Sequence, residues 1–186
     1  CYSTVVEHWP LVGWLTAGVM AATLYFGSMV MPWPVVIMLG ITVRLLITGA
    51  LHEDGLADFL DGFGGGGSDR KRILAIMKDS HIGTYGVLGL IVYELLLAAA
   101  LYSLGAQLAA LTILAADPYA KMVTAKLTQM IQYARREEEA KSKIIYRKQD
   151  WKAVVSLTIQ GLLPMVVFLW LTRLNWQVII FIPCIV

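Results

Sequence analysis

The chain has 186 residues, of which 58% are hydrophobic and 15% are charged, and its net charge is +2. Soluble domains carry about 25% charged residues, so this composition excludes an ordinary soluble domain and also a disordered polar chain. Two cysteines near opposite ends exclude a disulfide scaffold, and the small net charge excludes a nucleic-acid-binding protein. No strand-like alternation is present, so we expect an all-α, polytopic integral membrane helical bundle.

Long apolar runs predict the membrane spans. About 20 apolar residues cross a hydrocarbon core roughly 30 Å thick, and residues 11–31 contain no charged side chain. Pro32 and Pro34 mark the turn that follows. The five predicted full spans are residues 11–31, 35–51, 82–104, 106–131 and 153–172, and residues 176–186 are the predicted first half of a sixth.

Five charged residues fall inside these predicted spans: Arg44, Glu94, Asp117, Lys121 and Lys126. Each is costly in a membrane unless it is paired or faces a polar cavity. Asp117 and Lys121 are four residues apart on the predicted helix, so they can pair with each other.

Two polar segments, residues 52–81 and 132–152, are separated by two predicted spans and so lie on the same membrane face. The second contains seven Lys and Arg residues, which predicts that this face is cytoplasmic. We expect a single membrane domain over residues 1–186. The chain begins at Cys1 rather than Met and ends within an apolar run, so we expect a fragment that lacks C-terminal helices.

The first polar segment is rich in acidic residues. If it continues as a helix, Asp54, Asp58 and Asp61 have the spacing i, i+4, i+7 and fall within an arc of about 60°. Like charges at this spacing destabilise a helix, and a bound cation would offset that cost. Carboxylates suit Mg²⁺, Mn²⁺ or Ca²⁺. A solvated acidic face is the alternative interpretation.

Glycines and basic residues surround these carboxylates. Gly55 and Gly62 leave room for a phosphate ester to approach the helix, and residues 64–67, a run of four glycines, favour a flexible turn. Residues 70–72 (Arg-Lys-Arg) and the cluster Lys78, Asp79, Ser80 and His81 place cations nearby. They can clamp a diphosphate, although residues 70–72 suit anionic lipid headgroups equally well. His52 and His81 flank the segment as possible bases or ligands.

Two motifs in this region are specific. The first reads Thr48-Gly-Ala-Leu-His-Glu-Asp-Gly-Leu-Ala-Asp-Phe-Leu-Asp-Gly62, and the second reads Ile76-Met-Lys-Asp-Ser-His-Ile-Gly-Thr-Tyr-Gly86. They resemble TGGLHxDGLADxxDG and IMKDSRIGTFG, which are motifs of the cobalamin synthases, also called adenosylcobinamide-GDP ribazoletransferases. The similarity extends upstream to Trp9-Pro-Leu-Val-Gly13 and downstream to Tyr133-Ala-Arg135, so it covers most of the chain.

The resemblance implies a multi-pass transferase of the prokaryotic cytoplasmic (inner) membrane, active in nucleotide loop assembly during late cobalamin (vitamin B12) biosynthesis. Such enzymes join adenosylcobinamide-GDP to α-ribazole or its 5′-phosphate, release GMP and require Mg²⁺. The implied partners are these small molecules and the lipid bilayer. The implied metal ligands are Asp54, Asp58 and Asp61; the catalytic residues are His52, Asp58, Lys78 and Asp79; and the substrate-binding residues are Gly55, Gly62, Ser80, His81 and Arg135.

The chain departs from the family pattern in three ways. Ala50 replaces the second glycine of TGG, and His81 replaces the arginine of KDSRIG, which weakens a phosphate contact at neutral pH. The family also continues to a TGDxxGAxxE motif on later helices, whereas this sequence ends at Val186. If those residues complete the site, we expect the chain to bind substrate without turning it over.

Two other functions fit part of the sequence. CDP-alcohol phosphotransferases need DGxxAR followed by GxxxDxxxD, but here Asp58 and Phe59 stand where that motif has Ala and Arg. A divalent-cation transporter would place acidic residues such as Glu94 and Asp117 along a pathway. The acidic residues instead concentrate at one interface beside basic residues, which repel a cation and attract a phosphate.

Overall fold

The computed structural model describes residues 6–130 and 149–173, in which it contains six α-helices and no β-strand. The all-α prediction is therefore confirmed for these ranges. The predicted half-span 176–186 and residues 132–148 of the predicted basic loop lie outside them. The helices are α1 (Trp9–Gly27), α2 (Trp33–Thr48), α3 (Leu51–Gly66), α4 (Arg70–Ile76), α5 (Thr84–Met130) and α6 (Trp151–Thr172).

Three of the described helical segments are long and apolar enough to cross a membrane: Val6–Gly27, Thr84–Met130 and Trp151–Thr172. The pair α2 and α3 is a fourth candidate if it counts as one bent span. The apolar character of these helices supports a membrane protein.

The long helix α5 is interrupted at one residue. It contains 47 residues, and at Gly105 the backbone has φ 70° and ψ 167°, which is not helical. Glycine adopts such a positive φ readily because it has no Cβ. The break therefore falls between the apolar runs 82–104 and 106–131, which the sequence separates at this same residue.

The described residues form two compact units. One contains the described parts of Cys1–Ala22 and Leu108–Val186, and the other is Thr23–Gln107. Both α1 and α5 cross the boundary in sequence, so each contributes residues to both units. The acidic segment belongs to the second unit.

In the first unit, α1 and α6 pack against the C-terminal part of α5. A Cβ at Gly13 of α1 would lie 2.8 Å from the Cα of Pro118, so only glycine allows this approach. On α6, Leu157 is fully buried and belongs to one core cluster with Met122 and Ala125 of α5. Close helix packing through small residues is typical of membrane helices.

A buried ion pair also stabilises the first unit. Lys121 Nζ pairs with Asp117 Oδ1, and Thr16 Oγ1 on α1 donates a hydrogen bond of 2.5 Å to Asp117 Oδ2. All three residues are at most 8% exposed. The pairing expected from the i, i+4 spacing is thus confirmed, and it accounts for two of the charges inside the predicted spans.

In the second unit, the chain bends by 88° between α2 and α3. Gly49 and Ala50 both have left-handed backbone conformations, with φ 62° and φ 53°. The sequence suggested that the second apolar run continues through Leu51, but α2 ends at Thr48. The acidic segment is therefore a separate helix that runs in a new direction.

The glycine run is not the flexible turn that its composition predicts. Gly64, Gly65 and Gly66 are the last residues of α3, and the turn begins at Gly67, where φ is 60°. A Cβ at Gly66 would lie 2.9 Å from the Cα of Ile73 on α4. The run is helical because its missing side chains let α4 and the start of α5 pack directly on the α3 backbone.

Candidate active site

Three aspartates follow one side of α3 but differ in exposure. Because α3 is helical throughout, the predicted stripe of Asp54, Asp58 and Asp61 is present. Asp54 is exposed, Asp58 is half-buried, and Asp61 is only 7% exposed. The buried side of α3 includes Glu53, Ala57 and Asp61 at four-residue intervals. Asp61 therefore lies in the seam between helices, and the other two aspartates lie beside that seam.

Asp61 connects α3 to the beginning of α5. Its Oδ2 accepts a hydrogen bond of 2.7 Å from the Gly83 N–H, and its Oδ1 accepts one of 2.8 Å from the Gly86 N–H. The first N–H groups of a helix have no partner within the helix, so a carboxylate satisfies them well. A Cβ at Gly83 would lie 2.6 Å from Asp61 Oδ1, so this contact requires glycine. The two sequence motifs therefore interlock through Asp61.

The two glycines predicted to admit a substrate have different surroundings. No neighbouring atom lies within 4 Å of a Cβ built on Gly55, so that position of α3 opens to free space, as predicted. Gly62 is buried, and a Cβ there would lie 2.6 Å from Met77 Cγ. Gly62 thus provides room for a protein side chain rather than for a ligand, which corrects the reason given for its glycine.

The segment between α4 and α5 is anchored to α3 at both ends. Met77 packs on Gly62, and Gly83 donates to the adjacent Asp61. Residues 78–81 lie between these anchors, and none is more than three residues from one of them. Three residues span about 10 Å at most. Lys78, Asp79, Ser80 and His81, which are all exposed, are therefore held near α3.

Asp79 and His81 form a hydrogen-bonded pair within this segment. His81 Nδ1 lies 2.7 Å from Asp79 Oδ1, and the His81 N–H donates to the same oxygen at 3.2 Å. The side-chain hydrogen bond to Asp79 raises the pKa of His81 above 6.5. The same contact lowers the pKa of Asp79 below 3.8. The contact with Asp79 therefore stabilises the imidazolium form of His81, the form that carries the same charge as arginine.

The remaining predicted site residues lie at the edges of this region. His52 is exposed in the first turn of α3, two residues before Asp54. Residues 70–72 form the exposed first turn of α4, which begins at the N-cap Asp69. The exposure of that turn fits either a phosphate or a lipid headgroup as its partner. Arg135 lies outside the described residues.

No three His, Cys, Asp or Glu side chains in residues 6–130 and 149–173 are grouped closely enough to hold a metal on their own. A metal at Asp54 and Asp58 would therefore need other ligands from outside these side chains. Mg²⁺ is usually held in this way, by one or two carboxylates together with substrate phosphates and water.

The comparison with protein families agrees with the motifs. A family model described as cobalamin-5-phosphate synthase matches residues 2–186. The chain belongs to the cobalamin-5-phosphate synthase family. No solved structure matches it.

Several members of this family resemble the chain over most of its length. The adenosylcobinamide-GDP ribazoletransferase of Leptospira interrogans is 37% identical over 167 residues, which are 88% of this chain and 63% of the relative. The protein of the same name from Shewanella frigidimarina is 37% identical over 170 residues, which are 89% of this chain and 63% of the relative. The protein of the same name from Leptothrix cholodnii is 42% identical over 141 residues, which are 74% of this chain and 53% of the relative. The chain thus covers 53–63% of the length of these three relatives.

The structure explains one departure from the pattern of the cobalamin-5-phosphate synthase family. The TGG motif has glycine at the position of Ala50, and Ala50 has φ 53°. An L-residue in this left-handed region is strained by about 1–2 kcal/mol. The glycine pair of the motif is therefore the hinge that permits the bend before α3.

A buried polar cluster of this family member was not identified from the sequence. Glu53, only 6% exposed, has its Oε1 3.9 Å from Arg44 Nη1. Arg44 Nη1 also donates a hydrogen bond of 3.3 Å to the Tyr93 hydroxyl. Glu94 lies next to Tyr93 on α5, and its Oε2 atom is buried. Arg44 stood out as an intramembrane charge, but no sequence spacing indicates that it meets Glu53.

Proposed function

We propose that this protein is a membrane-bound transferase that joins adenosylcobinamide-GDP to α-ribazole or α-ribazole 5′-phosphate and releases GMP. The observation that carries the proposal is the pair Asp54, which is exposed, and Asp58, which is half-buried, on α3. They lie near a segment with Lys78 and His81 that is anchored to the same helix. Carboxylates next to cations suit a diphosphate that is bound together with a metal. The names of the relatives supply the substrates.

Mg²⁺ is the proposed cofactor, and Asp54 and Asp58 would hold it. They are one helical turn apart, and neither lies at the centre of the packed seam. Both oxygens of Asp61 already accept a backbone hydrogen bond, so Asp61 supports the site by fixing α3 to α5. When bound, Mg²⁺ would neutralise the charge that develops on the diphosphate oxygens.

The chain's own residues can perform the remaining tasks. The ribazole hydroxyl oxygen forms a bond to the phosphorus on the cobinamide side of the diphosphate. The bond from that phosphorus to the bridging oxygen breaks, and GMP leaves with that oxygen. Lys78 and the imidazolium of His81 would bind the phosphate oxygens, while Asp79 orients His81. The hydroxyl proton would pass to His52, which is exposed in the first turn of α3.

The proposed topology places this site on the cytoplasmic face of the inner membrane. We propose five full spans and the first half of a sixth, with two of the spans separated at Gly105. The basic residues between 132 and 152 support the orientation through the positive-inside bias. A cysteine introduced at the exposed Lys152 should react with a membrane-impermeant thiol reagent only from the cytoplasmic side. Reaction from the periplasmic side would contradict this orientation.

GMP release tests the proposed reaction. The protein would be placed in liposomes with adenosylcobinamide-GDP, α-ribazole and Mg²⁺, both as residues 1–186 and extended to the length of its relatives. Asp58→Asn should abolish GMP formation. The matched control is Asp150→Asn, which removes one charge from the N-cap of α6 while asparagine preserves the cap. Equal activity of the two variants would refute the proposed site.

A further inference from the structure

The buried charges at the bend connect three helices. Arg44 belongs to α2, Glu53 to α3, and Tyr93 and Glu94 to α5. The side chain of Arg44 is 17% exposed and that of Glu53 is 7% exposed. The Oε2 atoms of Glu53 and Glu94 are buried without a hydrogen-bond partner. The cluster therefore holds two buried carboxylate oxygens, one on Glu53 and one on Glu94, and Arg44 supplies positive charge next to Glu53.

Arginine suits this position better than lysine would. Its planar guanidinium presents several donors in fixed directions, so one side chain can contact α3 and α5 together. At Arg44 these contacts are the carboxylate of Glu53 and the hydroxyl of Tyr93. Without the guanidinium, the buried carboxylate of Glu53 would be left without a positive charge beside it, which strongly opposes the packing of α3 against α2.

The backbone alone does not fix the direction of α3. The bend of 88° passes through two successive left-handed residues, Gly49 and Ala50. Glycine is permissive, and Ala50 is strained in this conformation. Contacts of side chains with neighbouring helices must therefore hold the angle and the rotation of α3.

Glu53 and Asp61 anchor the same side of α3 two turns apart. Eight residues of helix separate them, which is about 12 Å. Asp61 is bonded to the start of α5, and Glu53 pairs with Arg44. Successive residues of a helix differ by 100° in direction, so fixing Glu53 also fixes where Asp54 and Asp58 point.

We propose that Arg44 is a positioning residue, which through its ion pair with Glu53 sets the rotation of α3 and thereby aligns Asp54 and Asp58. The inference rests on the proposed function for the role of these two aspartates. The alignment of α3 itself can be measured separately.

The test compares Arg44→Gln and Glu53→Gln with Lys121→Gln, which breaks the buried ion pair of the first unit. Spin labels would be attached to cysteines introduced at the exposed residues Leu46 of α2 and Phe63 of α3, after Cys1 and Cys184 are changed to serine. Pulsed electron resonance would give the distance distribution between the labels. Binding of Mn²⁺ to the same proteins, with inorganic diphosphate present, would be measured in parallel.

We expect the distance distribution between the two labels to broaden or shift in Arg44→Gln and Glu53→Gln, the two second-unit variants. It should stay unchanged in Lys121→Gln. Mn²⁺ affinity should fall about tenfold in the second-unit variants, as is typical when support of metal ligands is lost, and less than about twofold in the control. If Arg44→Gln does not fold, Glu53→Gln alone decides, because it keeps the side-chain shape.

An unchanged distance distribution in both second-unit variants would overturn the inference. An equal loss of Mn²⁺ affinity in Lys121→Gln would also overturn it, since the effect would then be general loosening. Failure of the unaltered protein to bind Mn²⁺ would instead contradict the proposed metal site, and the distance distributions would still decide whether Arg44 orients α3.

Discussion

Replacing Asp61 with asparagine separates a structural aspartate from the two proposed to bind metal. The carboxylate of Asp61 accepts hydrogen bonds of 2.7 and 2.8 Å from Gly83 and Gly86 in a site that is 7% exposed. Asparagine has one carbonyl oxygen, so its amide group must face the second N–H donor. One hydrogen bond is lost and a buried donor is left without a partner.

The expected cost follows from these contacts. A hydrogen bond to a charged group contributes about 1.5–3 kcal/mol, and an unpaired buried donor costs about 1–3 kcal/mol. We therefore expect Asp61→Asn to lower the free energy of unfolding by roughly 2–4 kcal/mol. Asp54→Asn removes an exposed charge and should change it by less than about 1 kcal/mol.

Unfolding in mixed micelles, followed by tryptophan fluorescence, would measure both variants. The Mg²⁺ dependence of GMP release would be measured in parallel on the folded fraction of each variant. There the order of the two variants should be reversed, with Asp54→Asn affected more than Asp61→Asn. The reasoning would be refuted if Asp61→Asn were as stable as Asp54→Asn, because the bonds to Gly83 and Gly86 would then carry no free energy.

Three further predictions concern single residues. Ala50→Gly should raise the free energy of unfolding by about 0.5–1 kcal/mol, since glycine relieves the strain at φ 53°; a lower stability would contradict the strain. Gly66→Ala should lower the free energy of unfolding by about 1–3 kcal/mol, because the new Cβ would contact the Ile73 backbone. Gly55→Ala faces open space and should not lower it. Thermal unfolding of the two variants compares these effects. His81 binds phosphate most strongly as imidazolium, and Asp79 raises its pKa above 6.5, so binding is strongest below that pKa and weakens as pH rises through it. The KM for adenosylcobinamide-GDP should therefore rise with pH, and His81→Arg should remove this rise; a parallel rise in the variant would exclude His81 as its cause.

The features predicted correctly from the sequence are those set by local composition. Charge-free runs of sufficient length form helices in any apolar environment, which is why 11–31 and 153–172 were recognised. The i, i+4 spacing of Asp117 and Lys121 predicts a pair on a helix, and Gly105 is where an apolar stretch of that length can break.

The features missed depend on packing between helices. Glycine has low helix propensity, but at Gly64 and Gly66 of α3 tertiary contacts with Tyr85 and Ile73 outweigh it. The same limit applies to Asp61. Its spacing from Asp54 and Asp58 is that of three metal-binding carboxylates on one side of a helix. Only its hydrogen bonds with Gly83 and Gly86 show that it caps α5.

The dependence of GMP release on Mg²⁺ tests most directly whether the accessible side of α3 is the metal site. The protein, extended to the length of its relatives, would be assayed in liposomes as the unaltered form, Asp54→Asn and the control Asp150→Asn. The account predicts that Asp54→Asn raises the Mg²⁺ concentration for half-maximal activity by about tenfold or more, while the control leaves it unchanged. The same Mg²⁺ dependence in all three proteins would contradict the account.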